Sequence, residues 1–175
     1  MLGRIHDSPA NRMSLARRLS PVLLLALAAG CSPESLASVN GDLAHAVAYR
    51  ACGPADGPAV LIMLTTAPGS FPEPAGPYLR VAVYQPPERL TERAWNLVGG
   101  DDEGTAWFHE TPMEFEAPTS GSVRITRVDG DENGDGSVNV EFVEGTVDVV
   151  FPKAGRIRRG FRAAWVEPSQ PILCG

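Results

Sequence analysis

The chain has few of the residues that usually build a metal centre or a redox site. It contains three cysteines and three histidines among 175 residues, with no Cys-x-x-Cys pair and no cluster of histidines. Structural zinc sites and dithiol redox sites depend on such spacings, so neither kind of site is indicated. No serine lies in the Gly-x-Ser-x-Gly pattern of a nucleophile elbow. The sequence therefore carries no local signature of a catalytic centre.

Basic charge and long apolar runs are also scarce. The whole chain has 15 basic and 21 acidic residues; the first thirty residues hold four Arg and one Asp, which leaves 11 against 20, a net charge of −9, from Cys31 onward. This balance argues against nucleic-acid binding and against electrostatic attachment to anionic lipid. The longest apolar run, Val22 to Ala29, is far shorter than the roughly 20 residues that span a bilayer.

That short apolar run is followed by small residues and a cysteine. Arg17 and Arg18 precede it, and Gly30-Cys31 ends it. The order of a positive region, a short apolar region and small residues is typical of a secretory signal. With the cysteine at its end, it resembles the type II signal peptide and lipobox of bacterial lipoproteins. The resemblance implies that residues 1–30 are a signal peptide, with Met13 as an alternative start.

The resemblance also implies that Cys31 carries diacylglycerol and, on its new amino group, a further acyl chain such as palmitate. Two or more chains hold a protein stably at a membrane. Residues 31–41 would form the lipidated cysteine and a tether, and residues 42–175 the folded domain. Ser32 follows the cysteine, and the lack of Asp there favours the outer over the inner membrane in a Gram-negative cell. An ordinary secreted protein cut near Ala29 is the alternative.

Two cysteines remain after the lipid-bearing one. In the oxidising cell envelope, an even pair predicts a disulfide between Cys52 and Cys174. Two buried thiols are the alternative interpretation.

Apolar runs bounded by Gly and Pro predict an all-β domain, either an antiparallel β-sandwich or a partly open barrel, with one disulfide. The continuous run Val60 to Leu64 indicates a central strand. The segment Ala67 to Pro77 holds four prolines and two glycines, which predicts a long exposed loop.

In the C-terminal third, we expect a strand at Ser122–Val128 and a loop at Asp129–Gly136. Glu144-Gly145 is either a two-residue hairpin turn or the site of a bulge within one bent strand. A closing strand at Ile157–Trp165 would pair Ile157 with Phe151 and direct Arg159 inward.

The loop at Asp129–Gly136 contains the only ligand-like cluster in the sequence. Its oxygen-bearing residues resemble the opening of a dockerin or EF-hand loop and indicate a weak calcium site at Asp129, Asp131, Asn133 and Asp135. The twelfth position of that pattern, which needs an acid, is Phe142. A hairpin loop that uses Asn-Gly and Asp-Gly without any metal is the alternative.

Three further groups of residues are candidates for function. Arg156, Arg158 and Arg162 form either an anion-binding patch or a solvated charge ladder. His109 and Glu110, with a loop serine, are the residues from which a hydrolase site would form. The aromatic residues fill a core or line a sugar-binding groove; they are Trp95, Trp107, Trp165, Tyr78 and Tyr84.

The C-terminal stretch, with Gly160 to Trp165 and Leu173-Cys174-Gly175, is similar to the end of small uncharacterised bacterial envelope lipoproteins. We therefore expect a lipid-anchored, non-enzymatic binding or assembly module of the cell envelope, whose partner is an envelope protein or a glycan. The loops Ala67–Pro77 and Asp129–Gly136 are the expected contact surfaces. An envelope hydrolase or a calcium-dependent glycan-binding domain is the alternative. The sequence does not identify the ligand.

Overall fold

The domain is built from strands whose order in the sheet differs from their order in the chain. The computed structural model describes residues 43–68, 74, 76–98, 103–134, 138–168 and 172–174. The predicted signal peptide, Cys31 and the tether lie outside the described residues. The nine strands are β1 (His45–Cys52), β2 (Pro58–Thr65), β3 (Tyr78–Val83), β4 (Ala94–Asn96), β5 (Gly104–Thr111), β6 (Glu114–Glu116), β7 (Ser120–Glu132), β8 (Val138–Phe151) and β9 (Gly155–Trp165).

The described residues contain no α-helix, and two short 3₁₀ turns lie at Pro54–Asp56 and Pro87–Arg89. The predicted all-β class is therefore confirmed. Within the same residues, no helix has the length and apolar character needed to cross a membrane.

All nine strands belong to one curled sheet, in the order β4-β7-β8-β9-β1-β2-β3-β5-β6. Neighbouring strands are antiparallel except β1 and β9, which pair in parallel at Val47 and Ala48. The curl brings the ring of Phe108 on β5 to 5.9 Å from that of Phe151 on β8. The carboxylate of Glu116 on β6 accepts hydrogen bonds from the backbone after β8. The result is a partly open barrel rather than two stacked sheets.

The continuous apolar run lies at the centre of this sheet, as predicted. β2 pairs with β1 on one side and β3 on the other, and all of its residues after Pro58 are buried. Consecutive strand residues point to opposite faces, so a fully apolar strand needs cover on both. Ile62 belongs to the inner core and its neighbour Met63 to a second cluster on the outer face. That outer cluster consists of Tyr49, Leu61, Met63, Tyr78 and Ala82.

The hairpin of β7 and β8 is longer than expected. β7 continues to Glu132, so the first residues of the predicted acidic loop belong to a strand. β8 runs unbroken from Val138 to Phe151, so the predicted turn at Glu144-Gly145 does not form. The alternation instead shifts at two bulges, near Thr126 and Glu141. A Cβ at Gly145 would lie 2.3 Å from the carbonyl oxygen of Arg124, so this glycine permits close strand approach.

The closing strand β9 forms, but its register is two residues from the predicted one. Ile157 pairs with Val149 instead of Phe151, because a tight turn already pairs Phe151 with Gly155. A two-residue shift preserves the inner face. Ile157 is fully buried there, and Arg159, opposite Val147, is half-buried in the same inward-facing register.

The predicted disulfide is present. Cys52 at the end of β1 is bonded to Cys174, 122 residues later, with the two Cα atoms 5.5 Å apart. The bond ties the C-terminal segment to the middle of the sheet.

Candidate functional site

The acidic residues of the predicted calcium site are only partly within the described residues. Asp129 and Asp131 lie on β7, and Asn133 follows the strand, whereas Asp135 lies outside the described residues. The Asp129 carboxylate accepts a hydrogen bond from Arg127, 2.5 Å away, and another from the Gly130 backbone N–H. Within the described residues, no group of three or more His, Cys, Asp or Glu side chains is placed to hold a metal ion. The calcium site remains a prediction.

The three arginines of β9 lie on the exposed outer face, as the alternation predicted. Asp148 on β8 receives two hydrogen bonds from Arg156, at 2.7 and 2.6 Å, and lies 3.8 Å from Arg158. Arg162 pairs with Glu144, 3.4 Å away. Hydrogen bonding by Arg156 lowers the pKa of Asp148. These contacts describe a paired charge ladder.

Two of the residues expected in a hydrolase site, His109 and Glu110, lie on opposite faces of β5. His109 is 7% exposed and packs on the outer face, whereas its chain neighbour Glu110 is exposed. Adjacent strand residues project to opposite faces, so this carboxylate cannot orient this imidazole. Ser70 lies outside the described residues, and Ser120 and Ser122 are on the distant strand β7.

The aromatic residues divide between the core and the outer face. Trp95 is buried in the inner core with the Arg93 guanidinium over its ring, and Trp165 donates a hydrogen bond to Glu167. Tyr78 and Trp107 instead lie on the outer face, where both pack in the second apolar cluster. The five aromatic residues therefore do not form one groove.

A concave site does form on the outer face, where β3, β5 and β6 lie side by side. We call it the outer pocket; it has a volume of about 300 Å³ and is lined by Arg80, Trp107, His109 and Phe115. Its residues are brought together by strand register, because Arg80 pairs with Trp107 while His109 pairs with Phe115. Residues directly opposite each other on antiparallel strands are in side-chain contact.

The rings of the outer pocket are held by one another. The imidazole of His109 is stacked on Tyr78, with ring centroids 4.3 Å apart and planes within 9°. The exposed ring of Phe115 leans against the other side of the imidazole at 5.5 Å. The guanidinium carbon of Arg80 lies 5.9 Å from the centroid of the Trp107 ring. These contacts produce a rigid aromatic wall with one cation beside it.

Burial and charge fix the protonation of the pocket. Burial lowers the pKa of His109, and the nearby Arg80 guanidinium lowers it further, against a backbone hydrogen bond at Thr111 that raises it. The imidazole is therefore neutral at pH 7. Burial likewise raises the pKa of Tyr49 on the same face, so that phenol is neutral too. Arg80 is the one charged residue among the four that line the outer pocket.

Two nitrogen atoms of the outer pocket have no hydrogen-bond partner within the described part of the chain. They are Nε of Arg80 and Nδ1 of His109, and both are shielded from solvent. Buried polar atoms are nearly always hydrogen-bonded, because an unsatisfied group costs about 1–3 kcal/mol. Gln85 Oε1 and Trp95 Nε1 are in the same state elsewhere in the described residues, and the outer pocket is where two such atoms lie together.

The outer pocket was not predicted as a unit. The sequence pointed separately to Tyr78, Trp107 and His109, and it did not point to Arg80 or Phe115. The available signal was the i, i+2 spacing of Tyr78 with Arg80 and of Trp107 with His109, which places each pair on one strand face. The sequence did not indicate that β3 pairs with β5, which brings the two residue pairs together.

Comparisons of the chain with protein-family models, with curated proteins and with solved structures find no match in any of the three.

Proposed function

We propose that this chain is a lipid-anchored, non-enzymatic binding module of the bacterial cell envelope, which recognises a glycan or an envelope protein through the outer pocket. Its anchor is the lipid on Cys31. Its scaffold is the disulfide-bridged sheet. The observation that carries the binding role is the pair of unpartnered nitrogens of Arg80 and His109 in one aromatic pocket.

The envelope location is supported by two independent features of the chain. The arginine pair, apolar run and Gly30-Cys31 order resemble a lipoprotein signal. The disulfide between Cys52 and Cys174 is of the kind that persists outside the reducing cytosol. An outer-membrane position is favoured because Ser32, rather than Asp, follows the lipid-bearing cysteine.

The binding role is supported by the chemistry of the outer pocket. Aromatic walls with a few convergent polar groups are typical of small-ligand sites. A rigid sheet holds each wall in place, so little side-chain entropy is lost when a ligand binds. The neutral imidazole of His109 and the neighbouring carboxylate of Glu110 lie on opposite faces of β5. This arrangement favours binding over acid–base catalysis.

The predicted contact loop at Ala67–Pro77 begins and ends near this pocket. Thr65 and Tyr78, which flank the loop, pair with each other across β2 and β3, and Tyr78 stacks on His109. The Thr65 hydroxyl donates to the carbonyl of Ala67 at the start of the loop. Residues 69–73 and 75 lie outside the described residues.

Site-specific photo-cross-linking in living cells tests the binding role. A cross-linker at Met113, which is 90% exposed beside the rim residue Phe115, should capture a defined envelope protein or glycan. The matched control is Leu173, which is 89% exposed. It lies beside Cys174, whose partner Cys52 is at the end of β1 far from the outer pocket. Capture that is equal at both positions would contradict recognition through the outer pocket.

The anchor has its own test. Metabolic labelling with palmitate should mark the wild-type chain and not a Cys31→Ser variant, and that variant should move from the membrane to the soluble envelope fraction. Retention of the unlabelled variant in the membrane would contradict lipid anchoring while leaving the pocket's role to the cross-linking experiment.

A further inference from the structure

We infer that the outer pocket binds a carboxylate carried on a sugar ring, which is the chemistry of an acidic saccharide residue. This inference rests on the proposed binding role of the same pocket and adds the class of ligand. It is argued from the size of the pocket, its one cation, its flat walls and its two unpartnered nitrogens.

The size of the outer pocket restricts the ligand to one ring. Its volume of about 300 Å³ lies at the lower end of the range for small-molecule sites, about 300–1,000 Å³. A long oligosaccharide or an extended peptide would therefore contact it with a single residue.

Arg80 selects a carboxylate. Its guanidinium is the one charged group among the four lining residues, and its Nε–H has no acceptor among the residues that the structure describes. A guanidinium presents parallel N–H groups that match the two oxygens of a carboxylate. No carboxylate is among the four residues that line the pocket, and His109 beside Arg80 is neutral at pH 7.

The walls select a ring with an apolar face. Trp107 and Phe115 present flat aromatic surfaces, and the Phe115 ring is 64% exposed at the rim. The C–H face of a sugar ring packs on such a surface, as does an aromatic ring. The walls by themselves therefore fit two sources of the carboxylate, a sugar acid and an aromatic acid.

His109 distinguishes those two sources. Its Nδ1 is buried in the pocket wall without a partner, and a hydroxyl can both donate and accept a hydrogen bond. A hydroxyl therefore satisfies Nδ1 in either tautomer of the imidazole. Sugar acids carry ring hydroxyls beside the carboxylate, whereas a simple aromatic acid such as benzoate has none. The structure thus favours the saccharide.

Titration of the ¹⁵N-labelled full-length chain with three probes tests the assignment by NMR. The probes are D-glucuronate, D-glucose, which has the same ring without the carboxylate, and benzoate. D-glucuronate should shift the indole N–H signal of Trp107, and Trp95, only 1% exposed in the core, serves as the internal control. We expect D-glucose and benzoate each to bind at least about tenfold more weakly, because each lacks one charge-assisted or buried hydrogen-bond partner.

Variants then locate the effect. Arg80→Gln should weaken D-glucuronate binding about tenfold or more and leave D-glucose unchanged. Arg80→Lys keeps the charge and should bind with intermediate affinity. That result would show that the loss in Arg80→Gln comes from the missing cation and not from misfolding. The matched control, Arg124→Gln on the exposed face of β7, should bind as the wild type does.

Equal binding of D-glucuronate and D-glucose, or an unchanged affinity in Arg80→Gln, would overturn the role of the cation. Benzoate binding as tight as that of D-glucuronate would replace the saccharide with an aromatic acid. Absence of any binding, combined with selective capture at Met113, would refute the ligand class and leave the proposed function standing. Absence of both would refute the two together.

Discussion

The two halves of the curled sheet use their outer faces differently. In β1, β2, β3 and β5 the outer face is apolar and aromatic, and residues as large as Met63 are fully buried there. In β7, β8 and β9 the outer face is polar, with exposed arginines paired to acids. Both halves share one inner core. The difference is that the second half presents a polar, charge-paired outer face, whereas the first half carries a second apolar cluster there.

The disulfide is a covalent link between the two halves in addition to their shared core, and its removal should have the largest effect on stability. β1 and β9 are joined by only two parallel residue pairs, and Cys174 lies beyond β9. A Cys52→Ala, Cys174→Ala double variant should lose about 4 kcal/mol, which corresponds to a drop in Tm of roughly 10–20 °C. Thermal denaturation followed by circular dichroism measures the change, with the reduced wild-type chain as the control. A drop of only a few degrees would mean that the strand pairing and the shared core join the halves without help from the disulfide.

Alanine substitutions at neighbouring positions test the contrast between the halves directly. In β2, Ile62→Ala and Met63→Ala should each cost about 2–5 kcal/mol, because both side chains are fully buried on opposite faces. In β8, Val147→Ala should be clearly destabilising, whereas Thr146→Ala should stay within about 0.5 kcal/mol because it is exposed. Urea denaturation of the four variants provides the free energies. A negligible cost at Met63 would show that the outer cluster is not a second core.

The buried imidazole of the outer pocket should make stability depend on pH. The pKa of His109 is lower in the folded chain than its usual value of about 6.5 in the unfolded chain. Between these two values the unfolded chain binds more protons, so stability falls as the pH drops through that window and levels off below the folded pKa.

A His109→Gln variant checks this expectation, because it cannot titrate. The Tm of the wild-type chain should decrease between pH 7.5 and pH 5 more steeply than that of the variant, as measured in parallel scans at each pH. Parallel curves would show that the imidazole does not carry this dependence. Arg89→Gln, on an exposed 3₁₀ turn away from the pocket, serves as the substitution control.

The sequence was sufficient to predict local features but not their partners across the sheet. The apolar run of β2 predicted a central strand, because a strand buried on both faces is apolar throughout. The cysteine pair predicted a disulfide, because two cysteines in an oxidising compartment usually bond to each other. Of the two interpretations of Glu144-Gly145, the hairpin turn was wrong and the single strand with an irregular register was right, because a glycine where strands approach closely has the same signature as one in a turn. The outer pocket escaped prediction because β3 and β5, which the register brings together, are separated in the chain by β4 and a loop.

The smallest effect is expected on the outer face of the second half. Arg156 lowers the pKa of Asp148, so the pair stabilises the fold above the usual carboxyl pKa and loses this contribution as the pH falls through the lowered value. Asp148→Asn should therefore reduce Tm slightly at pH 7, and the difference should shrink as the pH falls through the lowered pKa of Asp148 and its carboxyl becomes protonated. Since the pair is exposed, the difference at pH 7 should also shrink at high salt. A large, salt-independent loss of Tm would mean that this charge ladder holds the strands together. The two outer faces would then differ in chemistry but contribute equally to stability.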